Sequence, residues 1–206
     1  LFFDDLENTA LASVNWTSGN LNGVDAWNRY ATQYSNSGTR HIHSPNQDVV
    51  SDTFIQTRSI VLPANLINAY LHFHHAFGFD DDGNGTYDGG VIEYSTDFGN
   101  SWNDAGTLMP ENGYTGTINS ASNPLNTRPA FVGDSKGYIS SRIDLSSLIN
   151  EDENVVVQFR FRIGTDAQNK DEGWFIDDVR INSCVNTTNA CGGSETIQSV
   201  TTGNWS

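Results

Sequence analysis

Only two cysteines occur in the 206 residues, Cys184 and Cys191. They predict one local bridge near the end of the chain, worth about 2 kcal/mol by loop closure, which can pin a tail but cannot define a fold. Such a bridge implies an oxidising compartment, and no second cysteine pair or nearby histidine completes a metal site around them. Basic residues are also scarce, with 10 Lys and Arg against 25 Asp and Glu, a formal charge of −15 and a pI near 4.3. A nucleic-acid backbone or an anionic membrane is therefore repelled at long range, whereas cations are attracted. The plainer alternative is that the acidity only keeps an extracellular protein soluble. No apolar run approaches the ~20 residues of a membrane span, so membrane insertion is not expected. Leu1-Phe2-Phe3 is too short for a signal peptide, and the start reads as a mature or trimmed terminus.

Helical periodicity is missing as well. No segment longer than a turn or two repeats its apolar residues at helical spacing, although Leu145 to Ile149 suits a brief turn. What is present is alternation. Val155, Val157, Phe159, Phe161 and Ile163 fall on one face of a strand, with Val156, Gln158, Arg160 and Arg162 on the other. Shorter runs follow the same pattern at Phe54 to Val61, Tyr70 to Phe77, Gly90 to Ser95, Tyr138 to Ile143 and Trp174 to Ile181, separated by Gly, Asn, Asp and Pro clusters. The predicted fold class is all-β, a two-sheet antiparallel β-sandwich of jelly-roll type. One main domain is predicted over residues 1–183, then a disulfide-bearing linker at 184–194. Residues 195–206 start a following module or form a docked tail.

The most informative local motif is Asp80-Asp81-Asp82-Gly83-Asn84-Gly85-Thr86-Tyr87-Asp88. Numbered as a calcium loop, Asp80, Asp82 and Asn84 fall on positions one, three and five. Gly85 sits at the sharp turn, Thr86 at the carbonyl position and Asp88 at the position that often holds a water. The EF-hand pattern then stops, because Val91 occupies the place of the bidentate glutamate. A calcium loop within a β protein points to binding and stability rather than catalysis.

Directly after it, Ser95-Thr96-Asp97-Phe98-Gly99-Asn100-Ser101-Trp102 fits the Asp-box pattern S-x-D-x-G-x-[ST]-W. Turn chemistry accounts for it: Asp97 accepts backbone N–H bonds, Gly99 takes the unusual backbone angle and Trp102 packs over the hairpin. Gly173 to Ile181 carries Asp177 and Asp178 mid-strand. Strict alternation puts Asp177 with Phe175, Val179 and Ile181, and Asp178 with Trp174, Ile176 and Arg180. Carboxylates among such groups are metal-bound or ion-paired, with Arg160, Arg162 or Arg180 as the candidates.

His72 and His74 share a strand face and suit zinc, yet neither a third ligand nor an H-E-x-x-H helix accompanies them. His75 alternates with Leu71, Phe73 and Phe77 and reads as a hydrogen-bonded core residue. Gly133-Asp134-Ser135-Lys136-Gly137 matches G-x-S-x-G, but a strand pattern follows where a nucleophile elbow needs a helix, so a β-turn is predicted. Sequons occur at Asn15, Asn84, Asn186 and Asn204, usable in a glycosylating host.

Taken together, Phe3-Asp4-Asp5-Leu6-Glu7-Asn8, Tyr87 to Ser95, Asn123-Pro124-Leu125, Ala130-Phe131-Val132-Gly133 and Gly173 to Ile181 resemble the MAM-like or cleaved-adhesin-like jelly-roll domain of secreted bacterial proteases and adhesins. The resemblance implies a galactose-binding-like sandwich with a structural Ca²⁺ where the first and last strands meet. Its ligands would be Glu7 with Asp177 or Asp178, and Asp52 as a third. Leu6 replaces the more usual aromatic before the glutamate, and a second Ca²⁺ in the Asp80 to Asp88 loop rests on that loop's own spacing.

Two functions fit this reading. One is a non-catalytic, calcium-binding, secreted or cell-surface module for adhesion or carbohydrate recognition, its partner a glycan or an extracellular protein surface. The other is a purely structural spacer or accessory domain, attached to neighbouring domains of a secreted protease or polysaccharide-degrading enzyme.

Overall fold

In the computed structural model, residues 1–185 are described, with side chains to residue 183. The expected Cys184–Cys191 bridge, the part of the expected 184–194 linker beyond Val185 and the 195–206 segment lie outside the described residues. Fourteen strands follow in chain order: β1 Phe2–Asp4, β2 Trp16–Asn22, β3 Asn28–Ala31, β4 His41–Ser44, β5 Ser51–Thr57, β6 Ile60–Leu62, β7 Leu66–Gly78, β8 Gly89–Ser95, β9 Asn103–Asp104, β10 Gly116–Thr117, β11 Pro129–Ala130, β12 Ile139–Asp144, β13 Val155–Thr165 and β14 Gly173–Val185. They build two antiparallel sheets, β12-β7-β14-β4-β3 with β1 added to β14, and β2-β5-β13-β8-β9 with β6 added to β13; β10 and β11 pair separately. This is the expected all-β sandwich of jelly-roll type. No helix among the described residues is long and apolar enough to cross a membrane.

Alternation does the sorting. Along β7, Leu71, Phe73, His75 and Phe77 point into the sandwich, while Tyr70, His72, His74 and Ala76 face outward. From the opposite sheet, Val157, Phe159, Phe161 and Ile163 of β13 meet them. Phe161 stands edge-on to Trp174 and Phe73, with centroids 5.6 and 5.2 Å apart. Each such pair adds about 0.5–1.5 kcal/mol beyond simple burial. His75 lies in this core as expected, with Nδ1 accepting from Trp174 Nε1 at 3.1 Å and Nε2 meeting Ser141 Oγ at 2.7 Å. Burial pulls its pKa down to about 3.

The expected Phe54 to Val61 run is divided between β5 and β6, and the 3₁₀ turn falls at Ser146–Leu148. One short helix, α1 Thr9–Asn15, is capped by Asn8, whose side chain accepts from the N–H groups of Ala10 and Leu11.

The strict alternation expected through Gly173 to Ile181 does not hold. A bulge interrupts the β14–β7 register between Asp177 and Arg180, with Asp178 in the left-handed region at φ 49°. Parity resets across it. Trp174, Ile176, Val179 and Ile181 are all buried, and Asp177 does not share a face with Val179 and Ile181. The bulge puts both carboxylates on the outer side, where the Asn36-Ser37 loop crosses the sheet.

Candidate metal centre and ligand cleft

Three strand ends converge at one end of the sandwich: the exit of β7, the entry to β8 and the exit of β13. They carry Asp80, Asp88 and Asp166, all buried, with one carboxylate oxygen from each within 4.8 Å of the others. Asp88 is fully enclosed. Its Oδ1 accepts from the Asp166 N–H at 2.7 Å and from Asn123 Nδ2 at 3.2 Å, and its Oδ2 accepts from Asn46 Nδ2 at 2.9 Å. Burial, with a contribution from the Asp166 charge, still pushes its pKa up to about 7. Burial raises Asp80 too, and Asp166, Asp171 and Asp81 add to the effect.

Ser120 Oγ holds Asp166 at 2.7 Å. The amide whose nitrogen contacts Asp88 also carries a buried oxygen, Asn46 Oδ1, with no hydrogen-bond partner among the described residues. Carboxylate and amide oxygens around concentrated negative charge make the donor set of a hard cation such as Ca²⁺.

The loop between Asp80 and Asp88 is a tight hairpin. Asp81 bridges Thr86, and Tyr87 N–H donates to the Asp80 carbonyl at 2.9 Å. Asp82 turns its Oδ1 onto the N–H groups of Asn84 and Gly85, both at 2.9 Å, while Thr86 Oγ1 donates to the Thr117 carbonyl. So the base of the hairpin, not its tip, joins the acidic group. Sequence reasoning missed Asp166, which stands 78 residues beyond Asp88.

Asp52 sits on the outer face of β5 with both oxygens on Arg162, each at 2.7 Å. Beside it Glu93 takes Arg128, Arg160 and Arg162. Hence two of the three arginines considered as partners for Asp177 and Asp178, Arg160 and Arg162, are engaged by Glu93 and Asp52 instead.

Glu7, Asp177 and Asp178 do meet, at a single loop. Asp177 Oδ2 accepts from Asn36 and Ser37 N–H at 2.9 and 3.1 Å, and Asp178 accepts from Asn36 Nδ2 and Ser37 Oγ at 2.7 and 2.8 Å. Glu7 accepts from the N–H groups of Thr39 and Arg40, both at 2.7 Å, and from Thr39 Oγ1 at 2.9 Å. These bonds lower the Glu7 pKa, the Thr39 N–H most of all. Burial, with help from Asp178, lifts Asp177 to about 6.

Next to that loop, the outer face of the β7 sheet opens into a cleft of about 830 Å³. Phe175 and Ala76, cross-strand partners on β14 and β7, line it. Tyr34 and Tyr138 are aromatic rims, and Asn36, Asp134, Ser135 and Glu172 bring polar groups. His43 stacks on Phe175 with centroids 4.3 Å apart, and its Nε2 bonds the Glu172 carbonyl at 2.8 Å. Tyr34 is 76% exposed.

Ser135 is occupied by its turn, accepting from Phe77 N–H at 2.8 Å and donating to the Gly137 carbonyl at 2.9 Å. The segment bends at Gly133 and again at Lys136 and Gly137, and strand β12 follows where a nucleophile elbow would need a helix. In the Asp-box, Asp97 accepts from Ser101 N–H and Oγ at 2.9 and 2.7 Å, and Trp102 Nε1 donates to the Gly99 carbonyl at 3.1 Å. His72 and His74 share the outer face of β7 as expected, with His74 Nδ1 3.6 Å from Asp178 Oδ2.

The chain is thus an all-β jelly-roll sandwich with a buried acidic group at one end and an aromatic cleft on one sheet. No protein-family profile matches it, and no curated protein matches it in sequence. Solved structures with a related outline include the Endo-D glycoside hydrolase domain from Streptococcus pneumoniae R6, at 13% identity and TM-score 0.48 over 81% of this chain and 21% of that one. This chain therefore spans about a fifth of that protein. The CBM22-2 xylan-binding domain of Xyn10C from Paenibacillus barcinonensis matches at 10% identity and TM-score 0.45, over 88% of this chain and 98% of that one. The exoplasmic domain of VIP36, in a form bound to Ca²⁺ and Man3GlcNAc, matches at 11% identity and TM-score 0.40, over 85% and 88% of the two chains.

Proposed function

We propose that this chain is a non-catalytic carbohydrate-recognition module of a secreted or cell-surface multidomain protein, stabilised by Ca²⁺ at Asp80, Asp88 and Asp166. The observation that carries the reading is the cleft, where a solvent-facing tyrosine and Phe175 flank hydrogen-bonding side chains. Sugars present apolar C–H faces and a rim of hydroxyls, which an aromatic floor with convergent polar groups accommodates. Asp134 and Glu172 accept from pairs of hydroxyls; against the one cation of the lining, Lys136, these two acids leave the cleft net negative, which on a chain of charge −15 disfavours carboxylated or sulfated ligands. The ligand is accordingly a neutral glycan. Ca²⁺ has a structural role, closing the β7, β8 and β13 ends where three carboxylates would otherwise repel one another.

The test is titration calorimetry with neutral hexasaccharides of glucose, xylose, mannose and galactose, beside a sulfated and a uronic-acid oligosaccharide. Saturable binding of a neutral sugar supports the reading. Its absence from the whole panel would favour the spacer role.

A further inference from the structure

Resting on the carbohydrate reading, we infer that Tyr34 is a preformed ligand-contacting wall of the cleft, and that Asp177 and Asp178 are positioning residues that hold it there. Tyr34 has φ 66°, a conformation that a bulky aromatic seldom adopts. Such strain persists only where the surroundings over-determine it, as at ligand clamps. Here the following residues are tied down by three carboxylates from two distant segments, Glu7 and the Asp177-Asp178 pair. Four backbone N–H groups, those of Asn36, Ser37, Thr39 and Arg40, each donate to Asp177 or Glu7. Two side chains of the same loop, Asn36 and Ser37, donate to Asp178.

Gly38 completes the strap. At φ 54° it lies against Glu7, and a Cβ there would stand 2.5 Å from the glutamate carboxyl carbon. With the loop fixed, the Tyr34 ring meets Phe175 edge-on, so cleft floor and wall have a set geometry before any ligand arrives. A tyrosine placed this way contributes contact area without an ordering cost at binding. Asp178 reaches the loop because of its own left-handed bulge, so two strained residues on separate elements support one rim.

The experiment places 3-fluorotyrosine at position 34 alone and records ¹⁹F spectra of the full chain, with and without Asp178→Ala and Ser37→Ala. Titrations with the neutral hexasaccharides run in parallel. The inference predicts one narrow resonance in the parent and a shifted or exchange-broadened one in both variants, with melting temperatures nearly unchanged. It also predicts affinity at least tenfold weaker in Asp178→Ala and in Tyr34→Ala. An unchanged resonance in both variants overturns the strap, whatever the sugars do. A ¹⁹F response without binding of any hexasaccharide by the parent overturns Tyr34 as a ligand wall and the carbohydrate reading with it, while the strap itself stands. Undiminished affinity in Asp178→Ala, with the parent binding, overturns the positioning role.

Discussion

The Tyr34 and Phe175 rings stand edge to face, centroids 6.4 Å apart and planes at 88°, although their supports at Asn36 and Asp177 are 141 positions apart in the chain. Phe175 comes from the middle of the longest-paired sheet and Tyr34 from a loop, so a rigid floor faces a strapped wall. Binding chemistry and structural chemistry separate on this molecule: sugar-compatible groups gather on the outer face of one sheet, and the cation-compatible carboxylates gather at the strand ends.

Chelation is expected to lower the melting temperature, and added Ca²⁺ to restore it. A ligand at a hundredfold its dissociation constant, bound only by the native state, contributes about 2.7 kcal/mol. Thermal scans of Asp166→Ala should show little calcium response, whereas Asp82→Ala should keep it, because Asp82 spends its Oδ1 on Asn84 and Gly85. A lost response in Asp82→Ala with a normal one in Asp166→Ala would return the site to the loop tip.

The pH dependence of stability should differ with and without the cation on its neutral side. In chelator, Asp88 favours its protonated form, with a folded pKa of about 7 against an ordinary 3.8. Its contribution is fully present below the ordinary value and is lost as pH rises through 7. His75 works the other way: its folded pKa of about 3 lies below the usual 6.5, so its contribution is fully present above 6.5 and is lost as pH falls toward 3. Melting curves in chelator should therefore peak in mildly acidic buffer. With Ca²⁺ the Asp88 part of the fall toward neutral pH should vanish, while the smaller part from Asp177, lifted to about 6 away from the cation, and the acid limb remain.

On the β13 sheet, Glu93→Gln is expected to cost about 3 kcal/mol, since removing one partner of a buried ionic cluster leaves the other charges uncompensated. Glu93 is 4% exposed and receives Arg128 at 2.6 Å, Arg160 at 2.5 Å and Arg162 at 3.1 Å. Chemical denaturation reads the loss directly. A change below about 0.5 kcal/mol, the usual size for surface substitutions, would mean that the cluster contributes no more than exposed pairs do.

The long strands were legible because alternation is strong where one face is buried, as from Val155 to Ile163. His75 could be assigned to the core for the same reason. The bulge at Asp178 had a signal too: the apolar spacing Trp174, Ile176, Val179, Ile181 skips one extra residue, and two adjacent acids sit at the skip. Asp80 and Asp88 stood out as a motif, but Asp166 is one of 25 acidic residues with nothing around it to mark a ligand. The cleft could not be read at all, since Tyr34, Ser135 and Phe175 are brought together only by sheet order and by loops crossing it.

The central claim, a neutral-glycan site at Phe175 and Tyr34, is tested most directly by titrating the neutral hexasaccharides into the parent protein and into Phe175→Ala. The account predicts saturable binding of at least one neutral hexasaccharide by the parent and loss of at least tenfold in affinity in the variant, with melting temperature little changed. Binding that survives Phe175→Ala at full strength, or preference for the sulfated or uronic-acid oligosaccharide, would contradict it.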